Sequence, residues 1–88
     1  MKKTFVEYKV KLEEMDAYRL YMADVLQRTD SVEWLESQEQ PGLFLEIHAN
    51  SEEGLAERRQ ADPNLLRWAQ NGSVRVWTFF DAGQRPRN

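Results

Sequence analysis

The sequence predicts an α+β domain of order β-α-β-β-α-β, a four-stranded antiparallel sheet with two helices on one face. Three observations predict it. The 88 residues suit one domain. Three segments alternate apolar and polar residues with period two. Between them lie stretches whose apolar residues recur at three- and four-residue spacing.

From Thr4 to Leu12 the residues alternate, with Val6, Tyr8, Val10 and Leu12 on one side and Phe5, Glu7, Lys9 and Lys11 on the other. That is the strand period. From Met15 to about Arg28 the period changes: Met15, Tyr18, Met22, Val25 and Leu26 form one helical stripe. Thr29-Asp30-Ser31 ends it. Ser31 to Glu39 contains Val32, Trp34 and Leu35 before a polar half, which suits an edge strand. Gln40-Pro41-Gly42 is a turn, since Pro presets φ and Gly accepts a positive φ. Leu43 to Ala49 is the third strand, so the two segments around Pro41-Gly42 form a hairpin.

Asn50-Ser51-Glu52-Glu53 opens a second helix, with Asn50 or Ser51 as its cap. It runs to about Gln60. Pro63 breaks it, and Asp62-Pro63 starts a short second piece from Asn64 to Ala69 that Asn71-Gly72 ends. Ser73 to Asp81 is the fourth strand. The order is the ferredoxin-like plan. The domain covers residues 1–82, and 83–88, apolar-poor with Gly and Pro, is a disordered tail.

Composition excludes several functions. There is no Cys and one His, so there is no disulfide framework, thiolate nucleophile or Cys-ligated metal. This fits a cytoplasmic setting. No run reaches the roughly 20 apolar residues of a membrane span, and the charged N-terminal stretch lacks a signal-peptide core. The formal charge is −3, and residues 15–60 hold four bases against ten acids. An acidic middle disfavours a nucleic-acid surface. Gly42, Gly54, Gly72 and Gly83 are isolated, so there is no phosphate-cradling loop. No nucleophilic serine turn is present. Neither metal nor cofactor is predicted.

The two sheet faces differ. Val6/Tyr8/Val10/Leu12, Leu43/Leu45/Ile47/Ala49 and Val74/Val76/Thr78/Phe80 form a mostly aliphatic face for the helices. The other face mixes rings with ionisable groups: Phe5/Glu7/Lys9/Lys11, Phe44/Glu46/His48 and Arg75/Trp77/Phe79. Four such rings left bare would expose several hundred Å², about the limit for a soluble monomer. Something must cover them: a second copy of the chain, a ligand or single-stranded nucleic acid. The basic-Gly-aromatic signature of RNA-binding sheets is absent from Leu43 to His48, which removes the last. Phe5, Phe44, Trp77 and Phe79 are therefore read as a homodimer interface.

The element order, the broken second helix at Asp62-Pro63 and the aromatic last strand Val74-Arg75-Val76-Trp77-Thr78-Phe79-Phe80 resemble the dimeric α+β barrel superfamily, which includes antibiotic-biosynthesis monooxygenases. The resemblance spans Thr4 to Asp81. It implies two sheets packed face to face, with a pocket between each sheet and its helices or loops. Monooxygenase and haem-degrading members use an Asn on the first strand, and Thr4 to Leu12 has none. Haem-degrading members ligate iron through a His in the second helical region, and Ser51 to Asn71 has none. Trp68 is a partial match to a Trp of that region.

Candidate chemistry centres on His48 and Glu46, two residues apart on one strand and so on one side of it. An imidazole beside a carboxylate can act as a general base. Glu7 and Arg75 fall on the same predicted face, where Arg can hold an anion. Trp68, Arg75, Trp77 and Glu7 complete the predicted ligand pocket. The alternative reading of these charges is an interface ion-pair network. The function expected is that of a homodimer binding a small aromatic or polyketide-like molecule. Two alternatives stand beside it: a cofactor-independent monooxygenase or isomerase with His48 as base, and a protein-interaction domain docking through the aromatic face.

Overall fold

The computed structural model describes residues 2–83. Its strands are β1 (Lys2–Val10), β2 (Val32–Glu36), β3 (Leu43–Ala49) and β4 (Ala69–Phe80), and its α-helices are α1 (Met15–Arg28), α2 (Leu55–Gln60) and α3 (Pro63–Trp68). The four strands are antiparallel neighbours in the order β2-β3-β1-β4. This is the ferredoxin-like α+β arrangement, with the second helical region split in two.

Local chemistry explains the joints. Gln40-Pro41-Gly42-Leu43 closes a turn in which Leu43 N–H donates to the Gln40 carbonyl at 3.0 Å. Gly42 holds φ +91°, the third-position value of a type II turn, which suits glycine. Asp62 caps α3: its Oδ1 accepts from Asn64 N–H at 2.8 Å and from Leu65 N–H at 3.3 Å, and Pro63 occupies the first turn. The start of α2 differs from expectation. The helix begins at Leu55 behind Gly54 at φ +81°, with no side-chain cap. Asn50 turns the chain at φ +54°, and the Ser51 hydroxyl accepts from Thr4 Oγ1 at 2.8 Å. At the other end, Asn71-Gly72 does not separate α3 from β4. It forms an irregularity inside β4, both residues having positive φ, between the pairs Val10↔Ala69 and Tyr8↔Val74.

The core lies between the sheet and the helices. Val6, Tyr8, Val10 and Val74 of the sheet meet Tyr18 and Met22 of α1 and Leu65 and Trp68 of α3. Burial of these side chains, at roughly 1.5–3 kcal/mol each, is the main force that closes the helical layer. Trp68 packs edge-on against Tyr18 and Tyr21, with ring centroids 6.3 and 5.3 Å away.

One strand faces opposite to the sequence reading. Tyr8↔Phe44, Val6↔Glu46 and Thr4↔His48 are direct partners, and directly opposed residues share a face. Phe44, Glu46 and His48 are thus buried under the helices, while Leu43, Leu45 and Ile47 lie half-buried on the open side. The aliphatic row looked like the core row because its charge-free alternation is the usual core signature. Here the helical layer supplies partners for the polar row instead. Phe44 is therefore not an interface residue: it stacks on Trp34 at 5.7 Å beneath the helices. Two smaller corrections concern ends. β1 stops at Val10, leaving Leu12 in a 3₁₀ turn and 77% exposed. Thr78 and Phe80, read as inward, are exposed near the end of β4. Of the predicted tail, Gly83 sits in a turn, and 84–88 lie outside the described residues.

Candidate functional site

Glu46 is the centre of the buried polar structure. Its side chain is fully buried, at the middle of β3. Each carboxylate oxygen takes two donors. Oε1 accepts from His48 Nε2 at 2.7 Å and Arg59 Nε at 3.0 Å, and Oε2 accepts from Arg59 Nη2 and the Tyr8 hydroxyl, both at 2.5 Å. All four lone-pair positions of an ionised carboxylate are used. The Arg59 contact is the two-pronged form that is strongest between these groups. Burial alone would drive the Glu46 carboxyl upward, but donation from His48 and Arg59 outweighs it and holds the group below the ordinary value of 4.5.

From Glu46 the network runs two ways. Trp34 Nε1 donates to the Tyr18 hydroxyl at 2.8 Å. The Tyr8 hydrogen is committed to Glu46, so across the 2.8 Å Tyr8–Tyr18 contact the Tyr18 hydroxyl donates. The order is Trp34 to Tyr18 to Tyr8 to Glu46. Burial, and then the negative charge of Glu46, keep Tyr8 un-ionised far above its usual range. On the other side, Arg59 Nη1 donates to the Tyr21 hydroxyl at 2.7 Å and to Asp62 Oδ2 at 3.3 Å, and the Tyr21 hydroxyl donates to Asp62 Oδ2. Burial, with that donation to Asp62, pushes Tyr21 up to about 12. Among the described residues no buried side-chain nitrogen or oxygen lacks a partner.

His48 sits where this network meets a cleft. The cleft, about 370 Å³, opens between α1, α2 and the end of β3, with Tyr21, Val25, Leu55 and Arg58 among its walls. His48 is 3% exposed and forms part of its lining. An ionised Glu46 has only lone pairs to offer, so His48 Nε2 carries the shared hydrogen. With the hydrogen on Nε2, Nδ1 is the ring atom left for a partner from the cleft, since the hydrogen bond of His48 within the protein is the one through Nε2. The ring is held by a carboxylate that is itself held by an arginine.

The group predicted from sequence is divided by the sheet. Glu7 and Arg75 are cross-strand partners on the open face, form an ion pair there, and Arg75 lies over the Trp77 ring at 5.4 Å. His48 and Glu46 are on the other side. Trp68 is a core residue and does not line the cleft. The open face has its own apolar hollow, about 680 Å³, lined by Phe5, Leu45, Trp77 and Phe79 among others. Its larger size does not make it the better reactive site, because its ionisable neighbours are solvent-screened and none is oriented by a buried partner.

Sequence reasoning missed Tyr8, Tyr21, Arg59 and Asp62. One signal was present: both rows of β3 carry large apolar side chains, Phe44 beside Glu46 and His48 on one and Leu43, Leu45 and Ile47 on the other, so neither row was clearly the solvent row, and Arg58-Arg59 in the following helix were the nearest cations in sequence to Glu46. Among the described residues no three His, Cys, Asp or Glu side chains gather as a metal-binding group, and no helix is long and apolar enough to cross a membrane.

No protein-family model matches the chain, and no curated protein matches it. Solved structures do. A crystal structure described as an antibiotic biosynthesis monooxygenase aligns at TM-score 0.67 and 17% identity, over 93% of this chain and 99% of that one. A putative antibiotic biosynthesis monooxygenase from Deinococcus radiodurans aligns at TM-score 0.54 and 18% identity, over 100% of this chain and 98% of the other. The likeness is one of fold: a small α+β domain with the chain arranged as in these two structures.

Proposed function

We propose that this protein binds a small, partly aromatic molecule in the cleft above His48 and acts as a homodimer built on the open sheet face. One observation carries the ligand reading: a histidine whose Nε2 is fixed by the buried Glu46–Arg59 pair lines a cleft of about 370 Å³. That volume falls within the range of small-molecule sites. Tyr21, Val25 and Leu55 supply apolar contact, and His48 Nδ1 supplies a proton acceptor.

The same geometry favours catalysis without a cofactor. His48 Nδ1 takes a proton from an acidic O–H or C–H of the bound molecule. Return of that proton to another carbon is isomerisation. Reaction of the resulting anion with dioxygen is the oxygenase outcome, which the likeness in fold to two antibiotic biosynthesis monooxygenases, one of them putative, supports. The test is a panel of phenolic and keto-enol aromatics followed by oxygen uptake and by proton exchange with solvent. Wild-type turnover falls about 10²- to 10⁴-fold in His48→Gln. Unchanged turnover in that variant removes His48 from the chemistry.

The dimer reading rests on Phe5, Trp77 and Phe79. Phe79 is 56% and Trp77 42% exposed, and the inverted β3 adds Leu45 and Ile47 to the same face. Among alternatives for this face, a second copy of the chain fits best, because the adjacent strands β3, β1 and β4 present Leu45 and Ile47, Phe5, and Trp77 and Phe79 on it, and self-association buries these on both partners at once.

A further inference from the structure

The residues around the cleft carry more positive charge than this acidic chain would suggest. Arg28 at the end of α1 and Arg58 and Arg59 of α2 line it, with His48, against the single acid Asp62. Arg59 and Asp62 are committed to Glu46, Tyr21 and the α3 cap. Arg28 and Arg58 are not committed in this way. Arg28 pairs with Asp24 at 2.5 Å with both side chains at least 60% exposed, and Arg58 pairs with Glu52 at 3.2 Å with both at least 57% exposed. Exposed pairs of this kind are weak, so either guanidinium can leave its partner for a better-placed anion. Asp24 and Glu52 themselves stand outside the cleft lining. The chain carries −3 overall, so this concentration of arginine does not follow from composition.

We infer that the ligand of this cleft is a planar organic anion, its carboxylate or phosphate held by Arg28 and Arg58 and its ring lying on Tyr21, Val25 and Leu55 toward His48. A guanidinium matches the paired oxygens of either group. The inference rests on the reading of the cleft as the ligand site and adds the charge of the ligand to it.

The chain has one histidine, so one imidazole signal reports on the cleft. The experiment titrates 2-naphthoate, 2-naphthyl phosphate and neutral 2-naphthamide into the full-length protein and follows that signal by NMR at low and moderate salt. At least one anion shifts the His48 signal, binds fivefold or more tightly than the amide, and weakens as salt rises. The anion whose affinity falls more in Arg28→Gln/Arg58→Gln identifies the preferred headgroup. Both side chains are exposed, so the double variant folds, and a wild-type-like amide titration confirms an intact cleft. Equal shifts by anion and amide, or anion binding unchanged in the double variant, overturn the anion inference and leave the cleft reading standing. No response to any probe overturns both.

Discussion

Glu46 is the residue that ties the buried polar network together, and the proposed chemistry of His48 rests on it. Its charge is balanced by Arg59, and each would be costly to bury alone. Glu46→Gln keeps the shape but leaves the Arg59 guanidinium without its counter-charge, and unfolding in urea at neutral pH shows a loss of about 3–5 kcal/mol. The sign of the acid dependence follows from the lowered Glu46 value. The folded chain holds this group ionised at pH values where the unfolded chain has begun to protonate it. Its stabilisation is therefore fully present above the ordinary value of 4.5 and is lost as pH falls through the lower folded value. The wild type loses stability in that acid window, and the Glu46→Gln variant, though weaker throughout, has a flatter limb there. An equally steep limb in the variant would show that other carboxylates govern acid unfolding. Nothing in the identities of Glu46 and His48 announced which way they face. An alternating strand places them together, but side was decided by Arg59 and Tyr8, which lie 13 and 38 positions away from Glu46.

At the scale of elements, the split between α2 and α3 organises the cleft. Asp62 caps α3 through Oδ1 while Oδ2 accepts from Tyr21 and Arg59, so one side chain ties the helix break to the buried network. Asp62→Ala loses both, and thermal or urea unfolding should register at least about 1–2 kcal/mol. Asp62→Asn keeps an oxygen for the cap and costs less. Equal losses would show that the charge on Oδ2 outweighs the cap. The break was legible because Asp-Pro is a start signal with a mechanism: a capping oxygen beside a residue that lacks the hydrogen a helix interior needs. The start of α2 was not. Asn50 and Ser51 are good caps in isolation, but the turn at Asn50 and the Ser51–Thr4 hydrogen bond use them elsewhere, and Gly54 opens the helix. The hairpin was legible for the same kind of reason as the break, since Pro41-Gly42 permits few other turns.

For the whole molecule, the sheet separates two surfaces with different work. The helix side holds the oriented histidine and its cleft, and the open side presents rings and aliphatic chains. Element order and the burial of Val6, Tyr8, Val10 and Val74 were readable from periodicity, because in β1 from Thr4 on and in β4 the charge-free row is the inward one. The side of β3 was not, because there the charge-free row, Leu43, Leu45 and Ile47, faces outward and the row with Glu46 and His48 faces the helices. The proposed interface and the proposed ligand cleft therefore lie on opposite sides of the sheet and do not compete. Light scattering coupled to size exclusion gives two chains per particle for the wild type and one for Phe79→Asp, since a carboxylate buried at an apolar contact has no partner there. An intact dimer in that variant would move the interface elsewhere. The central claim, that the histidine lies under the helices, is tested most directly by the nuclear Overhauser contacts of the single imidazole ring. Contacts to the side chains of Arg59 and Tyr21 are expected. Contacts to Trp77 or Phe5 in their place would contradict it.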